Sequence, residues 1–321
     1  MGKFIVTGGA GLIGSNIVKH LNLRGEEDVL VVDHLNHPDK QRNLDRLKFS
    51  GYMDREEFRE AIRKKRVSPA SGVFHLGACS STLETNENFL DDNNTYYTRD
   101  LCLWSLENGA RFIYASSAAT YGDGSLGYSD ADQITPNLQP LNLYGWSKQK
   151  FDVWALREGL FDKITGLKYF NVFGPGEDHK GEMRSVVNKS FKGIIDTGKI
   201  SLFKSYKENY ADGEQERDFI YVDDAAKVTL WFYDNPDKSG LFNCGTGKAR
   251  TWLDLAHAMF AALEIEPDID FIPMPEELQG RYQYHTEADI SKLRQSGCDL
   301  QFGSLEETVD DYIKNYLLKM G

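Results

Sequence analysis

The first half of the chain alternates short, β-branched apolar runs with longer segments whose apolar residues recur at helical spacing. Strand-like runs lie at 4–7, 29–33, 73–76, 112–115 and 167–170, and helical patterns at 13–23, 55–64 and 88–107 between them. Near-continuous apolar strands separated by helices predict βαβ units and a parallel sheet covered on both faces. After Phe173-Gly174-Pro175-Gly176 the pattern changes, and as far as about residue 215 the chain is polar, loop-rich and dense in Lys and Glu. Strand-like runs at 218–222 and 240–244 then suggest a return to the first domain, and the tail from Thr251 mixes helices with a loop at 273–283. This organisation predicts one domain of residues 1–172 and 216–248, interleaved with a smaller, discontinuous one of 173–215 and 249–321. No internal repeat or low-complexity tract is visible.

Composition narrows the classes. The 321 residues are 40% hydrophobic and 27% charged, near the globular average, which excludes disordered and fibrous chains. Forty-nine acidic against thirty-seven basic residues leave a net charge of −12, and a pI near 5.1 argues against a general nucleic-acid binder, whose phosphate contacts need a basic face. A local basic patch for one anionic ligand remains open. No run of about 18 apolar residues occurs, so no membrane-spanning helix is expected. The opening residues enter a strand pattern without a charged leader, so a cytoplasmic location is expected. Cys79, Cys102, Cys244 and Cys298 are far apart and form no C-x-x-C pair, which indicates neither a disulfide framework nor a metal site.

Two motifs carry chemistry. Thr7-Gly8-Gly9-Ala10-Gly11-Leu12-Ile13-Gly14 follows the first strand and opens the first helix. Glycines at these spacings allow a tight turn, close backbone approach to a pyrophosphate and helix-on-strand packing, while the helix N-terminus offers free N–H groups. Asp33, nineteen residues past Gly14 at a strand end, suits the adenosine ribose hydroxyls. A dinucleotide is therefore expected. Asp33 alone favours NAD, whereas Lys40 and Arg42 just beyond it would neutralise a 2′-phosphate; NADP is the expectation and NAD the alternative. The second motif is Tyr144-Gly145-Trp146-Ser147-Lys148, a Y-x-x-x-K pair that puts phenol and ammonium on one helix face. A cation beside a phenol favours the phenolate, which can remove a hydroxyl proton as hydride leaves the same carbon. Ser116-Ser117-Ala118-Ala119-Thr120-Tyr121-Gly122 ends a predicted strand, where a hydroxyl can hold the reacting oxygen. His75 reads as a strand-end residue rather than a catalyst.

With Asn171 in Tyr169-Phe170-Asn171-Val172-Phe173-Gly174-Pro175, these motifs resemble the extended short-chain dehydrogenase/reductases. Within that superfamily the chain is similar, nearly end to end, to the ADP-L-glycero-D-manno-heptose 6-epimerases. The signals are Gly77-Ala78-Cys79-Ser80-Ser81-Thr82, Asp92-Asn93-Asn94, His179-Lys180-Gly181, Arg217-Asp218-Phe219 and Gly280-Arg281-Tyr282-Gln283. The resemblance implies an α/β fold, a Rossmann-type doubly wound parallel sheet with a smaller, discontinuous α/β substrate-binding domain. It implies an enzyme that interconverts the C6″ epimers of an ADP-heptose for lipopolysaccharide core supply, through a 6″-keto intermediate and a tightly held nicotinamide. Two bases serve the two faces, Tyr144 and Lys180, while Ser117 orients the oxygen and Lys148 holds the ribose and lowers the phenol pKa.

Cofactor positions carried by the resemblance are Gly8, Gly11, Leu12, Ile13, Gly14, Asp33, His34, Lys40, Arg55, Leu76, Gly77, Ala78, Cys79, Ser80, Asn93, Lys148, Val172 and Lys180. Substrate positions are Ser117, Asn171, Glu182, Lys189, Phe203, Lys204, Arg217 and Tyr282, with Arg217 the residue for the diphosphate, since a planar fork pairs two phosphate oxygens. A homo-oligomer, pentameric in the family, is implied, and neither a nucleic acid nor a membrane is expected as partner. There are departures: Lys168 stands where the superfamily usually has Arg, Glu182 and Lys189 stand where some members carry Ser and His, and 204–216 is longer than in shorter members. A UDP-hexose 4-epimerase on the same scaffold is the alternative. A 4,6-dehydratase would need an acid–base pair where Ala118 and Ala119 stand.

Overall fold

The computed structural model describes residues 3–279 and 282–319, so Gly280 and Arg281 of the Gly280–Gln283 signature lie outside the described residues. Twelve strands are described: β1 Phe4–Thr7, β2 Val29–Asp33, β3 Gly51–Asp54, β4 Gly72–His75, β5 Arg111–Ser117, β6 Thr165–Tyr169, β7 Asn171–Phe173, β8 Ile200–Phe203, β9 Glu216–Tyr221, β10 Gly240–Cys244, β11 Ala249–Thr251 and β12 Ile269–Ile272. Seven of them form one sheet in the order β10-β6-β5-β4-β1-β2-β3, parallel at every pairing. The order reverses between β1 and β4, and in such sheets the crevice at the strands' C-terminal ends is the ligand site.

Period-2 alternation within the strands feeds two cores. Val6, Val31, Phe74, Ile113 and Leu167 pack on one side, and Ile5, Leu30, Val32, Val73 and Phe112 on the other. Both faces are covered, which is why these strands read as continuous apolar runs. A third core, with Val187, Ile194, Leu202, Met259, Phe260 and Ile313, lies among the helices and strands after Phe173.

The structure adds an edge strand, β3, where no apolar run was read, and departs from the expected elements in two further places. Residues 218–222 do not rejoin the seven-stranded sheet: β9 pairs in parallel with β7 and antiparallel with β11, and Val222 already opens the Val222–Asp234 helix, which packs on the Leu12–Leu23 helix. Only β10 returns, to the edge beside β6. The 88–107 pattern is not one regular helix either; a π turn, Asp91–Tyr96, separates Glu87–Leu90 from Tyr97–Glu107. Such a turn re-aims side chains. Here buried Asn94 clamps Cys79, accepting its N–H and donating to its carbonyl, both at 2.9 Å, and donates to Ser147 Oγ at 2.9 Å.

Candidate active site

A cleft of about 990 Å³ opens along the C-terminal ends of the central strands and runs from the glycine turn to an aromatic wall beyond β9. At the glycine turn, Gly8 has φ +66°, and a Cβ on Gly14 would collide with the Gly8 carbonyl. The Leu12–Leu23 helix begins at Gly11 with no side-chain cap and no acid in its first turn. Its N–H groups therefore face the cleft unopposed, as a pyrophosphate requires. Asp33 Oδ2 accepts the Ala10 N–H at 2.9 Å, and its Oδ1 accepts the His34 N–H and Lys40 Nζ, each at 2.7 Å. Arg42 instead pairs with Asp39 and is exposed, so among the described residues Lys40 alone is the cation at this carboxylate. These residues fit a dinucleotide.

Gly8, Gly11, Leu12, Ile13, Gly14, Asp33, His34, Lys40, Arg55, Leu76, Gly77, Ala78, Ser80, Lys148, Val172 and Lys180 all line the cleft. Cys79 and Asn93 stand behind the lining. Cys79 is held by its backbone to Asn94, and buried Asn93 accepts from Arg55 at 2.8 Å, which aims the guanidinium forward. His75 sits below them with its pKa pulled down to about 3, first by burial and then by Lys148 and Arg59. Thr98 Oγ1 donates to the Asn94 carbonyl, so it accepts from His75 Nε2 at 2.9 Å. The other nitrogen then accepts from Thr7 Oγ1 at 2.6 Å, which in turn accepts the Gly77 N–H at 3.2 Å. His75 is a neutral strut between two strands and a helix, not a catalyst.

The Leu143–Arg157 helix is capped by Asn142, which accepts the Gly145 N–H at 2.8 Å, and this sets Tyr144 in the first turn. Burial pushes the Tyr144 phenol up, the Ser117 hydroxyl beside it favours the phenolate, and neighbouring Cys79 and Asp152 oppose it. Lys148, only 5% exposed, donates to the Ala115 carbonyl at 2.8 Å, and burial brings its pKa down to about 8, with Asp152 and Cys79 opposing. Among the neighbours that act on the phenol, Ser117 is the one that favours the phenolate.

Lys180 lies in the Asp178–Met183 turn, which Gly181 allows by adopting φ 54°. Burial lowers its pKa and the Glu177 carboxylate opposes. Glu177, fully buried, accepts the Ser185 N–H at 2.6 Å and hydroxyl at 2.7 Å and the Tyr312 hydroxyl at 3.1 Å. The same loop is pinned to the glycine turn: Asn16 donates to the Pro175 carbonyl, and Asn43 to those of Ala10 and Gly176, all at 2.9 Å.

At the far end Arg217 is 7% exposed and, among the described residues, has no carboxylate in ion-pair reach. It donates to the Glu216 carbonyl at 2.7 Å and stands over the Tyr282 ring, 4.9 Å from its centroid, and the Trp252 ring at 5.7 Å. Trp252 Nε1 donates to the Tyr282 hydroxyl at 2.8 Å. A buried cation without an anion, backed by two rings, is a subsite for an anionic ligand. Ser117, Asn171, Lys189, Phe203 and Tyr282 share this cleft. Glu182 and Lys204 are exposed and lie off its wall. Trp252, Thr286 and His179, which also line it, were not singled out from sequence: the first two come from distant segments with no motif around them, and His179 carried a family signal but no role.

Residues 4–245 match the NAD dependent epimerase/dehydratase family. The ADP-L-glycero-D-manno-heptose-6-epimerase of Nitratidesulfovibrio vulgaris is 51% identical over 315 residues, 98% of each chain. Among solved structures, the ADP-L-glycero-D-manno-heptose-6-epimerase of Helicobacter pylori superposes with a TM-score of 0.82 at 26% identity, over 98% of this chain and 96% of that one. The UDP-glucose 4-epimerase of Thermus thermophilus, in complex with NAD, gives a TM-score of 0.75 at 28% identity, over 97% of this chain and 99% of that one.

Proposed function

The chain belongs to the NAD dependent epimerase/dehydratase family, and from that premise we propose that it converts ADP-D-glycero-D-manno-heptose into its L-glycero epimer, for lipopolysaccharide core heptose, by transient oxidation at C6″. The observation that carries the reading is one cleft holding the Ser117–Tyr144 couple, a second desolvated amine, Lys180, and the unpaired Arg217. A nicotinamide bound against the glycine turn supplies one hydride acceptor and donor. Tyr144 as phenolate takes the proton of the substrate's C6″ hydroxyl while the C6″ hydrogen leaves as hydride, and Ser117 donates to the oxygen. The two epimers present opposite faces, so the returning hydride needs a proton donor on the other side, and Lys180 supplies it. Desolvation suits Lys180 in both directions of the reaction, because it makes the ammonium a stronger acid and brings the amine closer to neutrality than a solvated lysine. Arg217 takes the diphosphate through its planar fork.

Lys40 on Asp33 supports NADP as the dinucleotide, since the ammonium offsets the carboxylate that would repel a 2′-phosphate. In this reading residues 1–172 and 216–248 hold the cofactor and 173–215 and 249–321 hold the sugar nucleotide. The enzyme would work in the cytoplasm as a homo-oligomer, pentameric as in the family it resembles. No helix of the described residues is long and apolar enough to cross a membrane.

The test is to incubate the purified protein with ADP-D-glycero-D-manno-heptose, follow the C6″ proton by NMR, and identify the released dinucleotide by mass. Epimerisation without net reduced cofactor, and with NADP released, is expected. Turnover of UDP-galactose but not of the heptose would replace this reading with that of a UDP-hexose 4-epimerase, in which Lys180 is idle.

A further inference from the structure

Beneath the catalytic couple lies an ion pair that the reaction itself does not use. Lys168, on β6, and Asp152, on the Tyr144 helix, are both 0% exposed, with Nζ 2.9 Å from Asp152 Oδ2. Asp152 also accepts from Tyr114 at 2.8 Å on Oδ1 and from Ser116 at 2.6 Å on Oδ2. Lys168, paired in register with Ser116, donates to Thr120 Oγ1 at 2.6 Å and stands 5.1 Å from the centroid of the Tyr121 ring. Thr120 in turn donates to the Ser117 carbonyl at 2.8 Å. Every polar group around Ser117 on this side thus ends on the pair. Burying two charges costs several kcal/mol, and an apolar pair would often fill such space at equal or better stability. What an apolar pair cannot do is hold Ser116, Ser117 and Thr120 by hydrogen bonds.

We propose that Lys168 and Asp152 are positioning residues of the active site, fixing Ser117 against the Tyr144 phenol through Ser116 and Thr120 and leaving the floor under Tyr144 and Lys148 without net charge. The inference rests on the Ser117–Tyr144–Lys148 site proposed above. The groups facing Tyr144 are Ser117 at the end of β5, Cys79 in the loop after β4 and Asp152 on its own helix. Those facing Lys148 are Asp152 and Cys79, and Lys148 in turn acts on His75. Asp152 alone disfavours the phenolate and favours the ammonium; the Lys168 cation 2.9 Å from it opposes that field.

The test uses the purified protein with its bound cofactor and two readouts: the pH profile of epimerisation, and the Lys148 titration followed by 13Cε-lysine NMR. Lys168→Gln is expected to raise the Lys148 midpoint, and the pH at which turnover rises, by about one unit, and Asp152→Asn to lower both by about as much. Lys168→Arg, which keeps the cation, is expected to restore the wild-type midpoints. Thr120→Val, which alters no charge, is expected to lower kcat about tenfold with KM and midpoints unchanged. Folded Lys168→Gln and Asp152→Asn proteins whose midpoints stay put, or move in the same direction, would overturn the proposal. Should either fail to fold, Thr120→Val decides, and full kcat there sinks the idea. If the wild-type protein leaves ADP-heptose unchanged, the substrate reading falls while the Lys148 titration still judges the pair.

Discussion

Arg217 is a cation that the fold buries without an anion among the described residues, and Tyr144 and Lys180 are bases made strong or weak by burial. Arg217→Met removes an unpaired charge, so the free protein is expected to melt within about 2 °C of wild type or higher. The rise in melting temperature that ADP gives the wild type should vanish, because ligand stabilisation follows affinity. Thermal melts with and without ADP check both. Tyr144→Phe and Lys180→Ala should each lower turnover of the heptose roughly 10²-fold or more with the fold intact, read by NMR assay beside circular dichroism. Wild-type rates from either variant would end the two-base scheme. Lys40→Ala leaves Asp33 uncompensated, and the released dinucleotide should swing from NADP toward NAD by roughly tenfold, measured by mass after denaturation. The glycine turn and Y-x-x-x-K were legible from sequence because each rests on residues close in the chain, whereas Lys180 and Arg217 came only through the family resemblance. The support for these residues was not legible. Lys168 and Asp152 become partners only when β6 lies beside β5.

At the scale of elements, the His75 strut ties β1, β4 and the Tyr97–Glu107 helix together while neutral. The unfolded imidazole takes a proton near pH 6.5 and the folded one near 3. Stability from this group is therefore held in full above pH 6.5 and drains between the two values, by about 1.4 kcal/mol per pH unit. Urea midpoints between pH 7 and 4 should fall more steeply for the wild type than for His75→Gln, by one proton's worth of slope. Equal slopes would mean that the imidazole is protonated inside the fold. The π turn and the position of β9 are two of the features that apolar patterning missed, for different reasons. A single inserted residue leaves helical spacing nearly unchanged, so 88–107 reads as continuous. A short apolar run such as 218–222 declares that it is a strand but not which sheet it joins.

At the scale of the whole molecule, the parallel sheet and its covered faces were readable from the alternation of strands and helices. The sheet order was not, because it depends on a strand made late in the chain. β6 is complete at Tyr169, but its outer neighbour β10 begins only at Gly240, after the loop, helix and strands of the second layer. Until then Thr165–Tyr169, buried along its length in the finished protein, offers a bare row of N–H and C=O groups to any passing strand. A nascent chain emerging from the ribosome carries that open edge for several seconds. A protein cut short between Phe173 and Gly240 carries it permanently, and self-association through β6 is the fate such fragments would share.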